Sequence, residues 1–216
     1  MAGLTLAEEI ILLSLDDETG RPLGRAGMAP DLALAGALLM DLALARRIDT
    51  DRDRIWVADD APTWDPVLDV ALGALAVPGT PDDARGVIIL LARQAGEIRA
   101  ALMDRMLEAG LLQRVEDKVL WVFRDRRHPK APGRDEAATA RTRLRTLLLE
   151  EEREIPEPRD ALLLGLARAA GLLPALFSAE ELRRIQDWLD LVTRIESLNR
   201  SLSTAVAEVR GARNTG

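Results

Sequence analysis

Groups able to do covalent or proton-transfer chemistry are sparse in this sequence. His128 is the only histidine, it stands before Pro129, and cysteine is absent. A catalytic triad needs a histidine beside its nucleophile, and a zinc site needs three or four His, Cys or carboxylate ligands; neither set is visible here. The acidic pairs Asp16–Asp17 and Asp59–Asp60 lie beside turn signals, where aspartate typically accepts backbone N–H groups rather than moving protons. The stretches "AGALLM" and "RGARNTG" lack both the glycine spacing and the lysine of a phosphate loop. These residues point away from an enzyme, and no cofactor or metal is expected.

The chemistry that remains is charge. In "VLWVFRDRRHP" five apolar residues, Val119, Leu120, Trp121, Val122 and Phe123, run directly into Arg124, Arg126 and Arg127. Eight basic residues against three acids between Arg124 and Arg145 give +5 locally, whereas the whole chain carries −7, which leaves −12 elsewhere. Such asymmetry suggests a surface aimed at anions. Each Lys or Arg near an anionic bilayer is worth about 1 kcal/mol. On a strand, Val119, Trp121 and Phe123 share one face, and tryptophan favours the headgroup level because its ring is apolar while its N–H seeks water. Two readings stay open at this point. Either the run packs on its own domain beneath solvated arginines, or it projects and touches a membrane or a second subunit.

Helices must position this run. Thr5 followed by Glu8 has capping-box spacing and opens a helix through Leu15. Asp31 is placed to cap a long apolar helix whose Leu32, Leu38, Leu39, Leu42 and Ala45 fill one broad side. Charged turn residues then separate Ile48 from Ile55–Val57, a hairpin signal. Asp65 and Pro66 open the next helix. Ile98, Leu102, Met106 and Leu107 recur at helical spacing, and Gly110 sits where a helix-terminating glycine belongs. "QRVEDKVLWVFRD" is a second hairpin, so helix, stop and hairpin occur twice, over 31–60 and 97–126, with Trp56 matched to Trp121. Residues 137–149 return to helix after the "HPKAPGR" loop. "ALLLGLARAAGLLPALF" adds a helix and turn, and Ser178 with Glu181 forms another capping box. From there Leu182, Ile185, Leu189, Val192, Ile195, Leu198 and Leu202 make a stripe expected to pack in the core, with a groove for a partner helix as the minority reading. The expected fold is mainly α, a single multi-helix domain over residues 1–216 around a buried helical core, with short β-hairpins and a frayed tail from 203.

Composition agrees. Hydrophobic residues make up 48 % and charged residues 30 % of 216, enough apolar material for one core. The arginine bias, with lysine only at Lys118 and Lys130, fits a GC-rich, bacterial-type coding sequence. Glu8 and Glu9 stand where a signal peptide would be cationic and then apolar. The most apolar stretch is interrupted by Asp41 and falls short of the ~20 apolar residues of a span. A cytoplasmic, peripherally membrane-associated protein is expected. Net negative charge disfavours nucleic acid, although a helix followed by a hairpin is also the arrangement of winged-helix modules.

The blocks "LTLAEEIILLSLDDETG", "LAGALLMDLALARRI", "DAPTWDPVLDVAL", "MLEAGLL" with its hairpin, and "RDALLLGLARAAGLLPALF" occur in an order that resembles the Golgi phosphoprotein 3 family. That resemblance implies a mostly helical domain with a protruding hairpin, here over Val115–Arg126, that contacts membrane and mediates self-association. It also implies phosphatidylinositol 4-phosphate as ligand and proteins as clients. Carried over by position, the family's headgroup tryptophan falls on Ala26, one arginine on Ala35 and another on Gly96, while a third is retained as Arg99. Arg25 lies beside the same pocket as a further candidate. One arginine alone does not supply the multi-point grip of a stereospecific phosphoinositide site. The resemblance therefore implies a peripheral adaptor that binds anionic headgroups through Arg99, Arg25 and the 119–127 run, with a homo-oligomer through the hairpin and protein clients as further partners.

Overall fold

The computed structural model describes residues 3–16, 21–23, 28–51, 54–115, 118–121, 140–149 and 157–191, with the backbone alone for 113–115 and 118–121. Arg25, Ala26, Val122, Phe123, Arg124, Arg126, Arg127 and His128 lie outside the described residues, as do Val192, Ile195, Leu198 and Leu202 of the late stripe.

Apolar residues on every side make α2, Ala29–Leu44, the central element. Its buried set is Ala33, Leu34, Ala35, Ala37, Leu38, Leu39, Asp41 and Leu42, so it is enclosed rather than amphipathic. The expected stripe is corrected accordingly: Leu32 is half-buried and Ala45 exposed. Around it pack α1 (Leu6–Leu13), α3 (Pro66–Leu75), α4 (Ala84–Ala92), α5 (Ala95–Glu108) and α7 (Pro158–Ala169). Gly36 allows α7 to approach closely, because a Cβ there would stand 3.1 Å from the Leu166 side chain. Helices α6 (Ala140–Leu149), α8 (Leu173–Leu176) and α9 (179–191) complete the described helices, and the buried residues form one hydrophobic core cluster.

Helix α1 ends at Leu13 rather than Leu15. Ser14 caps it, and Leu15 forms a bridge to Pro22 that closes the following loop. Helix α4 is an element that periodicity did not single out. Its "VIILL" run is too short to separate helix from buried strand on pattern alone, and the Asp83 side chain that accepts from the Gly86 N–H at 2.9 Å decides for helix.

Two helices end in the same way. After α5, Gly110 takes φ +69°, and the N–H groups of Gly110 and Leu111 donate to the carbonyls of Leu107 and Met106 at 3.0 and 2.8 Å. After α2 the equivalent residue is Arg46 at φ +56°, with N–H groups of Arg46 and Arg47 donating to Ala43 and Leu42. A ribbon starts two residues later in both cases: β1 (Ile48–Thr50) with β2 (Ile55–Val57), and β3 (Leu112–Val115) with β4 (Lys118–Trp121). The first residue of each ribbon, Ile48 or Leu112, is buried. Ile48 pairs with Val57, and Leu112 pairs with Trp121. Trp121 therefore corresponds to Val57, one residue from the Trp56 expected, and a shift of one residue changes the face of a strand. The second ribbon also begins before Val115, at Leu112.

Candidate functional site

Among the described residues, the arginines that sequence alone would place on an anion-binding surface, Arg99, Arg141, Arg143 and Arg145, are engaged within the body. Thr5 and Glu8 form the capping box: the Thr5 N–H donates to Glu8 Oε2 at 2.8 Å, and the Glu8 N–H donates to Thr5 Oγ1 at 3.1 Å. The other Glu8 oxygen accepts from Arg105 Nε at 2.9 Å. Arg105 continues to Asp65 Oδ2 at 2.7 Å, while Asp65 Oδ1 caps α3 through the N–H groups of Val67 and Leu68. Glu9, with its side chain 2 % exposed, is a second hub. It accepts from Arg143 at 2.6 Å and from Arg159 at 2.9 Å, and Arg143 reaches on to Asp160 at 2.8 Å. Burial alone would depress the Arg143 guanidinium, but Glu9 and then Asp160 hold it above its ordinary value.

Helix α6 shows the consequence for charge. Arg141 donates to the Leu15 carbonyl at 3.1 Å. Arg145 donates to the Leu176 carbonyl at 2.9 Å and to Glu181 at 2.6 Å, with its guanidinium 5.5 Å from the Phe177 ring centre. That arginine, together with the Ser178 N–H at 2.7 Å, draws the Glu181 carboxyl down to about 2. Three of the eight cations in the expected +5 cluster thus brace the fold. The five others, Arg124, Arg126, Arg127, Lys130 and Arg134, stand with three acids, so segment 122–139 retains +2.

Arg99 lies in the first half of α5 and is half-exposed. Its Nη2 meets Asp31 Oδ1 at 2.5 Å, both side chains being roughly one-third exposed (36 and 37 %). Asp31 does not cap α2; Met28 occupies the cap position, and Asp31 stands in the first turn. Ala35 is buried and Gly96 exposed, so neither offers a group for a phosphate. Arg99 and the second ribbon also sit at opposite ends of α5. From Arg99 to the end of α5 at Glu108 is about 14 Å at helical rise, and Leu112 follows beyond the Gly110 stop. A flat bilayer touches both only if α5 lies along its plane. In the ribbon, Arg114 pairs with Val119, Gln113 with Leu120, and Leu112 with Trp121.

Two features escaped the sequence reading. Asp41, seen only as an interruption of an apolar run, is buried and accepts the N–H groups of Leu6 and Ala7, each at 2.9 Å, at the start of α1. Burial outweighs those donors and raises its carboxyl to about 6. The signal was available, since a lone acid among apolar helix positions needs buried donors. The second is Trp64, which is 91 % exposed at φ +64°.

No helix among the described residues is long and apolar enough to cross a membrane. Residues 6–213 match the family model described as Golgi phosphoprotein 3 (GPP34). No curated protein matches the chain.

Proposed function

The chain belongs to the Golgi phosphoprotein 3 family, and from that premise we propose that it is a peripheral membrane protein that docks reversibly on anionic lipid headgroups and serves as an adaptor for other proteins. The observation that carries the reading is the second ribbon. It leads a β-branched and aromatic run, Val119 to Phe123, straight into Arg124, Arg126 and Arg127. Three arginines near an anionic surface contribute roughly 3 kcal/mol, a reversible hold that Trp121 and Phe123 reinforce if they reach the interface.

Recognition in this reading is electrostatic rather than stereospecific. Phosphoinositide selection needs several donors aimed at one headgroup. Here Ala26, Ala35 and Gly96 supply none, and Arg99 is already paired with Asp31. Arg99, in the first half of α5, and Arg25 are retained as secondary contacts. The ribbon is also the proposed seat of self-association.

The winged-helix alternative, in which α5 would enter a DNA groove, is less favoured. The exposed positions of α5 include Glu97, Ala100, Ala101, Asp104 and Glu108, an acidic and apolar face that repels phosphates. A lipid-independent protein adaptor is the other alternative.

Co-sedimentation with liposomes tests the proposal. Binding to phosphatidylglycerol vesicles but not phosphatidylcholine vesicles is expected, weakening as salt rises and lost in Arg126→Glu with Arg127→Glu. Salt-insensitive binding, or equal pelleting by the double variant, overturns it. An electrophoretic shift of duplex DNA that survives moderate salt would instead favour the nucleic-acid reading.

A further inference from the structure

Helix α3 and the residues on either side of it carry an apolar face that the core does not use. Trp64 is the most exposed large apolar side chain among the described residues, and it occupies a backbone conformation that favours glycine. Its neighbours hold it there. The Thr63 N–H and hydroxyl donate to Asp69 Oδ1 at 2.6 and 2.7 Å, and the Asp65 N–H donates to Thr63 Oγ1 at 3.1 Å. Strain of this kind persists where the surroundings over-determine it, and it gathers at binding sites. Pro66, Val70 and Gly73 are exposed along α3. Val77 and Gly79 are exposed in the turn that follows, which the Thr80 N–H closes onto the Val77 carbonyl at 3.1 Å.

Bulky and small residues are matched about the middle of α3. Val70 and Gly73 are equally distant from it along the chain, as are Pro66 and Val77, and Trp64 and Gly79. A Cβ placed on Gly73 or Gly79 would meet no atom within 4 Å, so both glycines open onto free space. Reversed end to end, the face therefore complements itself, which is the condition for an isologous two-fold contact.

We propose that two copies of the chain pair through this face, their α3 helices antiparallel, with Val70 over the partner's Gly73 and Trp64 over the partner's Gly79. Area and charge both point to a second copy as the occupant. One exposed indole offers about 200 Å². The whole face offers about 500 Å², so a pair buries about 1,000 Å² in total, the threshold of a specific contact. A reversible dimer is the outcome at that size. The only charge between Pro66 and Thr80 is Asp69, engaged by Thr63, and Asp65 at the start of the face is paired with Arg105. No unanswered charge thus lies within the contact. The first ribbon stands beside α3, and segment 48–65, with six acids and two arginines, carries a net −4. That charge repels an anionic bilayer, whereas between two copies it acts from outside the contact and is screened by salt. The inference goes beyond the lipid reading and uses residues distinct from the second ribbon.

Sedimentation equilibrium of the full chain tests the pairing. A monomer–dimer equilibrium is expected, with a dissociation constant that falls as salt rises. Trp64→Ala and Gly73→Glu each raise that constant roughly tenfold or more. Glutamate favours a helix over glycine and enters open space at this position, so Gly73→Glu loses the pairing and keeps the fold, as circular dichroism checks. Arg126→Glu with Arg127→Glu leaves the constant unchanged. A chain still monomeric at about 100 μM, a dimer that neither variant weakens, or one that salt dissociates overturns the proposal. Insertion of Trp64 into phosphatidylcholine vesicles would assign the face to a bilayer and likewise overturns it. At concentrations where the chain is monomeric, sedimentation with phosphatidylglycerol liposomes stays at wild-type level in Trp64→Ala, so the two proposals fail separately.

Discussion

The seam where α1 meets α6 and α7 and the apex around the first ribbon and α3 use the same residue types to opposite ends. In the seam each prominent charge is answered inside the molecule: Glu9 by Arg143 and Arg159, Glu8 by Arg105, Glu181 by Arg145. At the apex Asp49 and Asp60 are exposed, with Asp49 directly opposite Trp56 on the ribbon. A charge in the sequence therefore says little until its burial is known. A half-buried arginine on a carboxylate braces two helices, and the same pair of residue types apart on an exposed face is available to a partner. The two ribbons repeat the contrast on one skeleton. Each follows a helix that ends with a left-handed residue, yet 48–65 carries −4 and the equivalent 112–129 carries +2.

The largest test of the contrast is Glu9→Ala. Breaking a buried pair costs about 3–5 kcal/mol, and here two arginines each lose one acceptor, Arg143 keeping Asp160 and Arg159 keeping the Leu4 carbonyl. Urea unfolding should show that loss, while Asp60→Ala at the apex stays within roughly 0.5 kcal/mol of wild type. Comparable effects at both positions would erase the distinction between the regions.

Asp41→Ala ranks next. It strips the acceptor from two α1 N–H groups, each costing about 1–3 kcal/mol when buried without a partner. The same carboxyl sets a pH signature. Its folded value of about 6 lies above that of the unfolded chain, so the folded state holds the proton more tightly. Its contribution to stability is greatest below about pH 4 and falls as pH rises towards 6. Asp41→Asn should remove that downward slope between pH 4 and 6.5 in denaturant midpoints, and an unchanged slope would show that another group produces it.

The features legible in the sequence were those closed locally. The capping boxes at Thr5–Glu8 and Ser178–Glu181, the Asp65 cap and the Gly110 stop all join residues a few positions apart, where spacing carries the geometry. What stayed hidden was non-local. Asp41 meets Leu6 across 35 positions and Arg143 meets Glu9 across 134. A run of arginines between 124 and 145 reads as one cationic patch until folding divides it. Arg99 was identified as a headgroup ligand from its position, but its Asp31 partner lies 68 residues away on another helix. The apex was hidden for a different reason: nothing in "DAPTWDP" says that Trp64 adopts a positive φ, since glycine or asparagine is the usual sign of that conformation.

Trp64→Gly sharpens the comparison from the apex side. Relieving a left-handed φ in a bulky residue is worth about 1–2 kcal/mol, offset in part by the greater freedom of glycine when unfolded. A net gain of roughly 1 kcal/mol in thermal or urea unfolding is expected. Such a gain would show that the exposed indole returns nothing to the fold for its left-handed backbone. A loss of stability would mean that the indole packs on something and belongs with the seam.

The smallest effect is expected where the two regimes meet, at Arg99 and Asp31. Both side chains are about one-third exposed, and pairs of that kind contribute about 0–1 kcal/mol after solvent screening. Arg99→Ala and Asp31→Asn should therefore each shift the unfolding midpoint only slightly. Their lipid phenotypes should diverge, however. If Asp31 occupies the guanidinium that a headgroup would otherwise take, Asp31→Asn raises retention on phosphatidylglycerol vesicles and Arg99→Ala lowers it, with the double variant matching Arg99→Ala. Equal retention in all three would place this pair with the bracing charges of the seam and leave the second ribbon as the one lipid-facing element.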